Sequence, residues 1–254
     1  MNSPTISDPE TETRVCEKHG EYAARVLRVP FSDAPIRSAC PECAEERTRE
    51  QENFKREQEE RRQNEYRRQR LANCALPLRF ADKTIAQFEP PCTEAQRIKT
   101  LAERFVAGFD PARGTSLIFC GKPGTGKTHI ACAIARAITD STSAHFSTVL
   151  AAIRHIKGAY RKDCEYTEDE ALESFISPSL LVLDEIGVQV GSEHEKMLLF
   201  EIINERYQRR RSTILISNLT AEELAAYLGD RVVDRFREDG AVIAFDWDSH
   251  RGRK

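Results

Sequence analysis

The segment Gly121-Lys122-Pro123-Gly124-Thr125-Gly126-Lys127-Thr128 follows an apolar run, Ser116-Leu117-Ile118-Phe119-Cys120, and opens an apolar-periodic stretch over residues 128–138. A strand, a Gly-rich loop and a helix in that order make a cradle for phosphate. The glycines let the chain bend tightly with its N–H groups turned inward, and Lys127 carries a positive charge to the β and γ phosphates. Thr128 offers a hydroxyl to Mg²⁺ at the start of a helix whose N-terminal dipole also favours anions. A Gly-rich turn with a purely structural purpose has no need of Lys and Thr after its last Gly. The stretch therefore predicts a site for Mg-ATP.

Apolar segments of two kinds alternate around it. Residues 93–109, 128–138, 149–160 and 195–209 have the spacing of helices, and shorter helices are expected at 221–227 and 230–237. Strands are expected at 116–120, 144–148, 180–183, 213–216 and 241–245, and a polar surface loop at 161–170. Alternating elements of these lengths imply an α/β fold, a mainly parallel sheet with helices on both faces. Leu180-Leu181-Val182-Leu183 is apolar throughout, as a strand buried on both faces should be, and it ends in Asp184-Glu185. That ending places Asp184 to hold Mg²⁺, directly or through water, and Glu185 to orient or deprotonate the attacking water. The strand 213–216 ends in Ser217-Asn218. Asn218 is either an ordinary turn residue or, if the three strands are neighbours, a hydrogen-bond partner for the γ phosphate or the lytic water.

The 254 residues suffice for one α/β domain and a small accessory region. With 38 basic and 41 acidic residues, the net charge of -3 supplies no global attraction for nucleic acid. No apolar run approaches the roughly eighteen residues that cross a bilayer, so no membrane partner is expected. The polar, acidic start over residues 1–12 lacks the basic and apolar parts of a secretion signal. A cytoplasmic protein is the expectation, with cysteines serving as thiols or metal ligands rather than disulfides. Cys16-x2-His19 and Cys40-x2-Cys43 supply two close ligand pairs suited to tetrahedral structural Zn²⁺, with no position left for a substrate. Residues 44–71 are rich in Glu, Gln and Arg without Gly or Pro, and they predict an exposed helix whose last third is arginine-rich. It is either a solvated linker or a docking arm. The expected organisation is a disordered tail over 1–15, a zinc-binding module over 16–43, a charged linker helix over 44–72 and an ATPase domain over 73–254.

Four stretches together resemble the AAA+ ATPases of the DnaC/IstB type: residues 119–129, ending in His129; residues 181–189; Leu228-Gly229-Asp230-Arg231-Val232-Val233-Asp234-Arg235; and Phe245-Asp246-Trp247-Asp248-Ser249-His250-Arg251. The first two are shared by many ATPases, whereas the last two point to this type, and the resemblance runs from about Cys74 to the C-terminus. It implies an AAA+ fold without a separate helical lid, and Mg-dependent ATP hydrolysis through Lys127, Thr128, Asp184 and Glu185. Asn218 falls at the sensor 1 position, and His129 closes the phosphate-loop match. Arg235 falls at the arginine finger that completes a neighbouring subunit's site, with Arg231 as the runner-up, and Arg251 at a late nucleotide-sensing arginine. The activity implied is ATP-dependent loading of a hexameric replicative helicase, gripped through the N-terminal region, onto single-stranded DNA during replication. A transposition helper ATPase and a nucleotide-dependent interaction module with weak hydrolysis are the alternatives. Residues 154–161, with Arg154, Lys157, Tyr160 and Arg161, are either a single-strand contact or an ordinary basic helix face.

Overall fold

The computed structural model describes residues 10–28, 34–187, 192–238 and 240–250, and the side chain of Arg231 is not among those described. The chain forms two compact units, with the boundary in sequence between Glu65 and Tyr66.

In the first unit, β1 (Glu10–Cys16) and β2 (Gly20–Leu27) form an antiparallel pair with Cys16 opposite Gly20, and β3 (Ile36–Arg37) adds to β2. Residues 10–15 were expected to belong to a disordered tail; they are strand β1, because Thr11, Thr13 and Val15 alternate with charged residues and find a partner in β2. Residues 1–9 lie outside the described residues. The helix α1 (Pro41–Asn73) then begins, and it buries none of its 33 residues. Glu45 and Arg49, Glu52 and Arg56, and Glu57 and Arg61 stand four apart with the acid first, an arrangement that supports a helix without a core.

The second unit contains α2 (Thr93–Ala107), β4 (Ser116–Gly121), α3 (Lys127–Ile138), β5 (Ala144–Thr148), α4 (Val149–Gly158), α5 (Glu168–Ile176) and β6 (Leu180–Ile186). There follow α6 (Glu193–Gln208), β7 (Ser212–Ser217), α7 (Ala221–Leu228), α8 (Asp230–Glu238) and β8 (Gly240–Phe245). The five strands are all parallel, in the order β5-β6-β7-β4-β8. Successive residues of the central strands face opposite cores. Leu117, Phe119, Val182 and Ile214 pack on the side of α2 and α3, and Ile118, Leu181, Leu183 and Leu215 on the side of α4 to α8. Arg70, near the end of α1, donates to the carbonyls of Thr139 and Asp140 after α3, at 2.7 Å each. No described helix is long and apolar enough to cross a membrane.

The expected loop over 161–170 ends early, since α5 starts at Glu168. Thr167 and Glu170 form a reciprocal capping box, and Ala171, Leu172, Phe175 and Ile176 bury the helix against the core. Arg206, on α6, is fully buried and has no carboxylate partner among the described residues; its guanidinium donates to Thr213 Oγ1, to the carbonyls of Phe175, Ile176 and Pro178, and to that of Ser212. Burial draws its pKa down to about 9. The residue ties the end of α5 to the start of β7, supplying donors to carbonyls at the helix end. Arg206→Met removes these donors while keeping much of the volume, and is expected to cost about 3 kcal/mol of stability. A urea titration followed by Trp247, the single tryptophan, reads the effect; a shift equivalent to less than about 1 kcal/mol would contradict this role.

Candidate functional site

The phosphate loop is bounded by β4 and α3, and two of its glycines are required by close approach. Gly126 has φ +96°, and a Cβ there would lie 2.6 Å from the ring of Phe88. Gly121 has φ +109°, and its Cβ would lie 2.8 Å from the carbonyl oxygen of Phe245 on β8. Lys127 is buried, and its ammonium donates to the carbonyls of Gly121 and Lys122, both at 2.7 Å. The Thr128 hydroxyl donates to Asp184 Oδ2 at 2.9 Å. Two oxygens thus converge beside an ammonium, a donor set that fits Mg²⁺ bound to a phosphate.

At the end of β6 the register against β7 shifts between Leu183 and Ile186, and Glu185 takes φ +66°. This bulge turns Glu185 outward while Asp184 stays half-buried, its Oδ1 accepting from the Glu185 N–H at 2.7 Å. Burial raises the pKa of Asp184; the Thr128 hydroxyl, the Glu185 N–H and Lys127 oppose that rise. Asn218 directly follows β7, the strand between β4 and β6. One cleft of about 790 Å³ takes in Lys127, Thr128, Asp184, Glu185 and Asn218.

Pro123, Gly124, Thr125 and Gly126 also line this cleft, but Gly121 and Lys122 face β8. The Lys122 N–H donates to Phe245 O and its ammonium to Asp246 O. His129 borders the cleft with its Nε2 at 3.2 Å from the carbonyl of Thr84, and it packs edge-on against Phe88. Sequence reasoning assigned no role to Phe80, Phe88, Trp247 and His250, which complete the cleft walls. Lys99 holds this wall by donating to the carbonyls of Ala86 and Phe88, both at 2.9 Å. Trp247 Nε1 donates to Thr125 O, and the His250 N–H to Gly124 O. Arg235 is not in this chain's own cleft; it lies on α8 against α6. Arg251 and the side chain of Arg231 lie outside the described residues.

The segment 154–161 is partly engaged within the chain. Lys157 pairs with Glu195 at 2.7 Å, and the Tyr160 hydroxyl donates to Glu168 at 2.7 Å.

In the first unit, the ligand atoms of Cys16, His19, Cys40 and Cys43 all lie within 4.8 Å of one another. The Cys16 and Cys43 sulfurs are 3.5 Å apart, and His19 Nδ1 stands 3.7, 3.6 and 3.3 Å from the sulfurs of Cys16, Cys40 and Cys43. Tetrahedral Zn²⁺ with ordinary Zn–S and Zn–N bonds places its ligands about 3.6–3.8 Å apart, so the four residues fit the ion. The other ring nitrogen, His19 Nε2, is 3.3 Å from Glu46 Oε1, the outer partner that orients a metal-bound histidine.

Because Gly126 has neither the conformation nor the space for a side chain, Gly126→Ala is expected to weaken nucleotide binding about tenfold or more. Titration with Mg-ATP followed by Trp247 emission measures it. Wild-type affinity in this variant would mean that the turn is not the phosphate cradle.

A family model described as IstB-like ATP binding protein matches residues 46–254. The replicative helicase loader DnaC of Escherichia coli (strain K12) is 35% identical over 164 residues, 64% of this chain and 66% of the relative. DnaC of Buchnera aphidicola subsp. Acyrthosiphon pisum is 39% identical over 138 residues, 54% of this chain and 56% of the relative. The matches thus span less than two thirds of these curated relatives' own lengths. The crystal structure of the DnaC helicase loader superposes with a TM-score of 0.60 at 26% identity, covering 66% of this chain and 99% of the other. With its parallel sheet, its phosphate loop and a family match over most of its length, the chain belongs to the IstB-like ATP-binding proteins of the AAA+ class.

Proposed function

We propose that this protein is an ATP-dependent loader of a replicative DNA helicase onto single-stranded DNA. The observation that carries the reading is the convergence of Lys127, Thr128, Asp184, Glu185 and Asn218 on one cleft in a chain that is 35–39% identical to DnaC helicase loaders over 138–164 residues. The amides of residues 124–128 and Lys127 hold the β and γ phosphates once the ammonium leaves the carbonyls of Gly121 and Lys122. Thr128 and Asp184 hold Mg²⁺, which neutralises phosphate charge when bound. Glu185, turned outward by its bulge, takes a proton from the attacking water, and Asn218 orients that water or the γ phosphate. Arg235 completes the site of a neighbouring copy, so ATP favours self-association into a ring or spiral. The charged helix over 44–72, together with a zinc module built on Cys16, His19, Cys40 and Cys43, forms the arm that grips the hexameric helicase. The family description also admits a transposition helper, which the identity of the captured partner distinguishes.

The decisive experiment is a pull-down with the replicative helicase and, in parallel, a transposase, in ATP, ADP and no nucleotide. Capture of the helicase supports loading; capture of the transposase alone replaces it with the helper reading, and capture of neither overturns both. Glu185→Gln is expected to retain ATP binding and lower steady-state hydrolysis about 100-fold or more; unchanged turnover removes Glu185 as the base. Elemental analysis should find one Zn per chain, and a folded, metal-free N-terminal unit would rule out the four-ligand site.

A further inference from the structure

Two arginines of the second unit are held in opposite ways. Arg206 is enclosed, and its guanidinium is taken up by five acceptors. Arg235 is half-buried and, among the described residues, makes a single hydrogen bond, from Nη1 to Asn204 Oδ1 at 2.6 Å. Its guanidinium carbon sits 4.7 Å from the centroid of the Tyr207 ring, and the Tyr207 hydroxyl donates back to Glu238 Oε2 at 3.1 Å. Asn204 and Tyr207 are three residues apart on α6, as Arg235 and Glu238 are on α8, so each pair shares one face of its helix. Neither group gripping Arg235 carries a charge. The nearest acid in sequence, Asp234, pairs with Arg237 instead.

A carboxylate in place of Asn204 would fix the guanidinium equally well but cancel its charge. An amide oxygen and an aromatic face fix its plane and rotation while leaving the full positive charge, and the donors on Nε and Nη2, for an outside anion. We propose that Asn204 and Tyr207 are positioning residues that hold Arg235 in a fixed, un-neutralised pose for the γ phosphate of ATP bound to a neighbouring copy of this chain. The proposal rests on the reading of Arg235 as a finger acting in trans. What it adds is a neutral cradle on α6 that sets the geometry before assembly, so that the ordering of a long side chain is not left to the transition state.

Mixed-chain ATPase assays separate the two ideas. A Glu185→Gln chain donates a finger but cannot hydrolyse, whereas an Arg235→Ala chain can hydrolyse but donates none. Mixed in equal amounts they regain turnover if Arg235 acts in trans, and absence of rescue removes that underlying reading itself. Given rescue, adding Asn204→Asp to the Glu185→Gln donor sets a carboxylate against Arg235 and is expected to cut the regained turnover about tenfold, part of what a finger supplies. Placed in the Arg235→Ala chain, which has no finger to hold, the same substitution leaves the rescue standing. In the donor, Tyr207→Phe keeps the aromatic face and sustains rescue, while Tyr207→Leu reduces it. Undiminished rescue by folded donors carrying Asn204→Asp or Tyr207→Leu overturns the cradle. Equal loss from Asn204→Asp in either chain also overturns it, since that result assigns Asn204 to the stability of the fold.

Discussion

The parallel register of three strands is the constraint on which the site depends. Ile118 of β4, Leu215 of β7 and Leu183 of β6 stand in one row across the sheet, because Leu215 is paired with both of the others. The functional groups lie just past that row: Gly121 three residues beyond Ile118, Asn218 three beyond Leu215, and Asp184 one beyond Leu183. All therefore emerge at the carboxyl end of the sheet, where α/β folds place their ligands. The register in turn is held by apolar alternation. A slip of one residue in β6 would exchange Leu181 and Leu183 with Leu180 and Val182, sending each pair toward the wrong core. Packing far from the loop over 121–128 thus sets where the carboxylates of Asp184 and Glu185 stand.

The same register accounts for the local strain. For Glu185 to leave the sheet while Ile186 still pairs with Ser217, one residue must be left out of the ladder, and the left-handed φ of Glu185 is the result. The far side of the cleft depends on the last strand. β8 pairs with β4 along its whole length, which carries Trp247 and His250 onto the phosphate loop. The loop is therefore completed by residues more than a hundred positions away in sequence, and its shape depends on the unit having closed.

The phosphate loop and the acidic strand were legible because their chemistry is local: Gly, Lys and Thr at fixed spacing, and a continuous apolar run ending in two acids. The parallel α/β layout was legible for the same reason, since each strand is a short apolar run set between stretches of helical spacing. Helix α5 was obscured by its polar approach, although Thr167 and Glu170 spell a capping box three residues apart. Strand β1 was obscured by its charges, because an exposed two-sided strand has no apolar alternation to betray it. The neighbours of Arg235 had no local signal at all. Asn204 and Tyr207 are unremarkable on a helix until α8 is laid across them, and the same holds for the engagement of Lys157 by Glu195.

The first unit reaches order by different means. Among its described residues only Ala24 and Cys40 are buried, while Val15, Leu27 and Ile36 are 73%, 61% and 56% exposed. Apolar burial on that scale cannot offset the entropy of ordering three strands. The sheet does bring Cys16 and His19, at the turn of its hairpin, against Cys40 and Cys43 at the start of α1. On the zinc reading, a few strong bonds at that single point replace a core and fasten the hairpin to the helix. The helix itself, supported by its own charge pairs, does not depend on the ion; the attachment of the sheet to it does. Metal chemistry would then decide whether a partner meets a sheet and helix presented together or a bare charged helix.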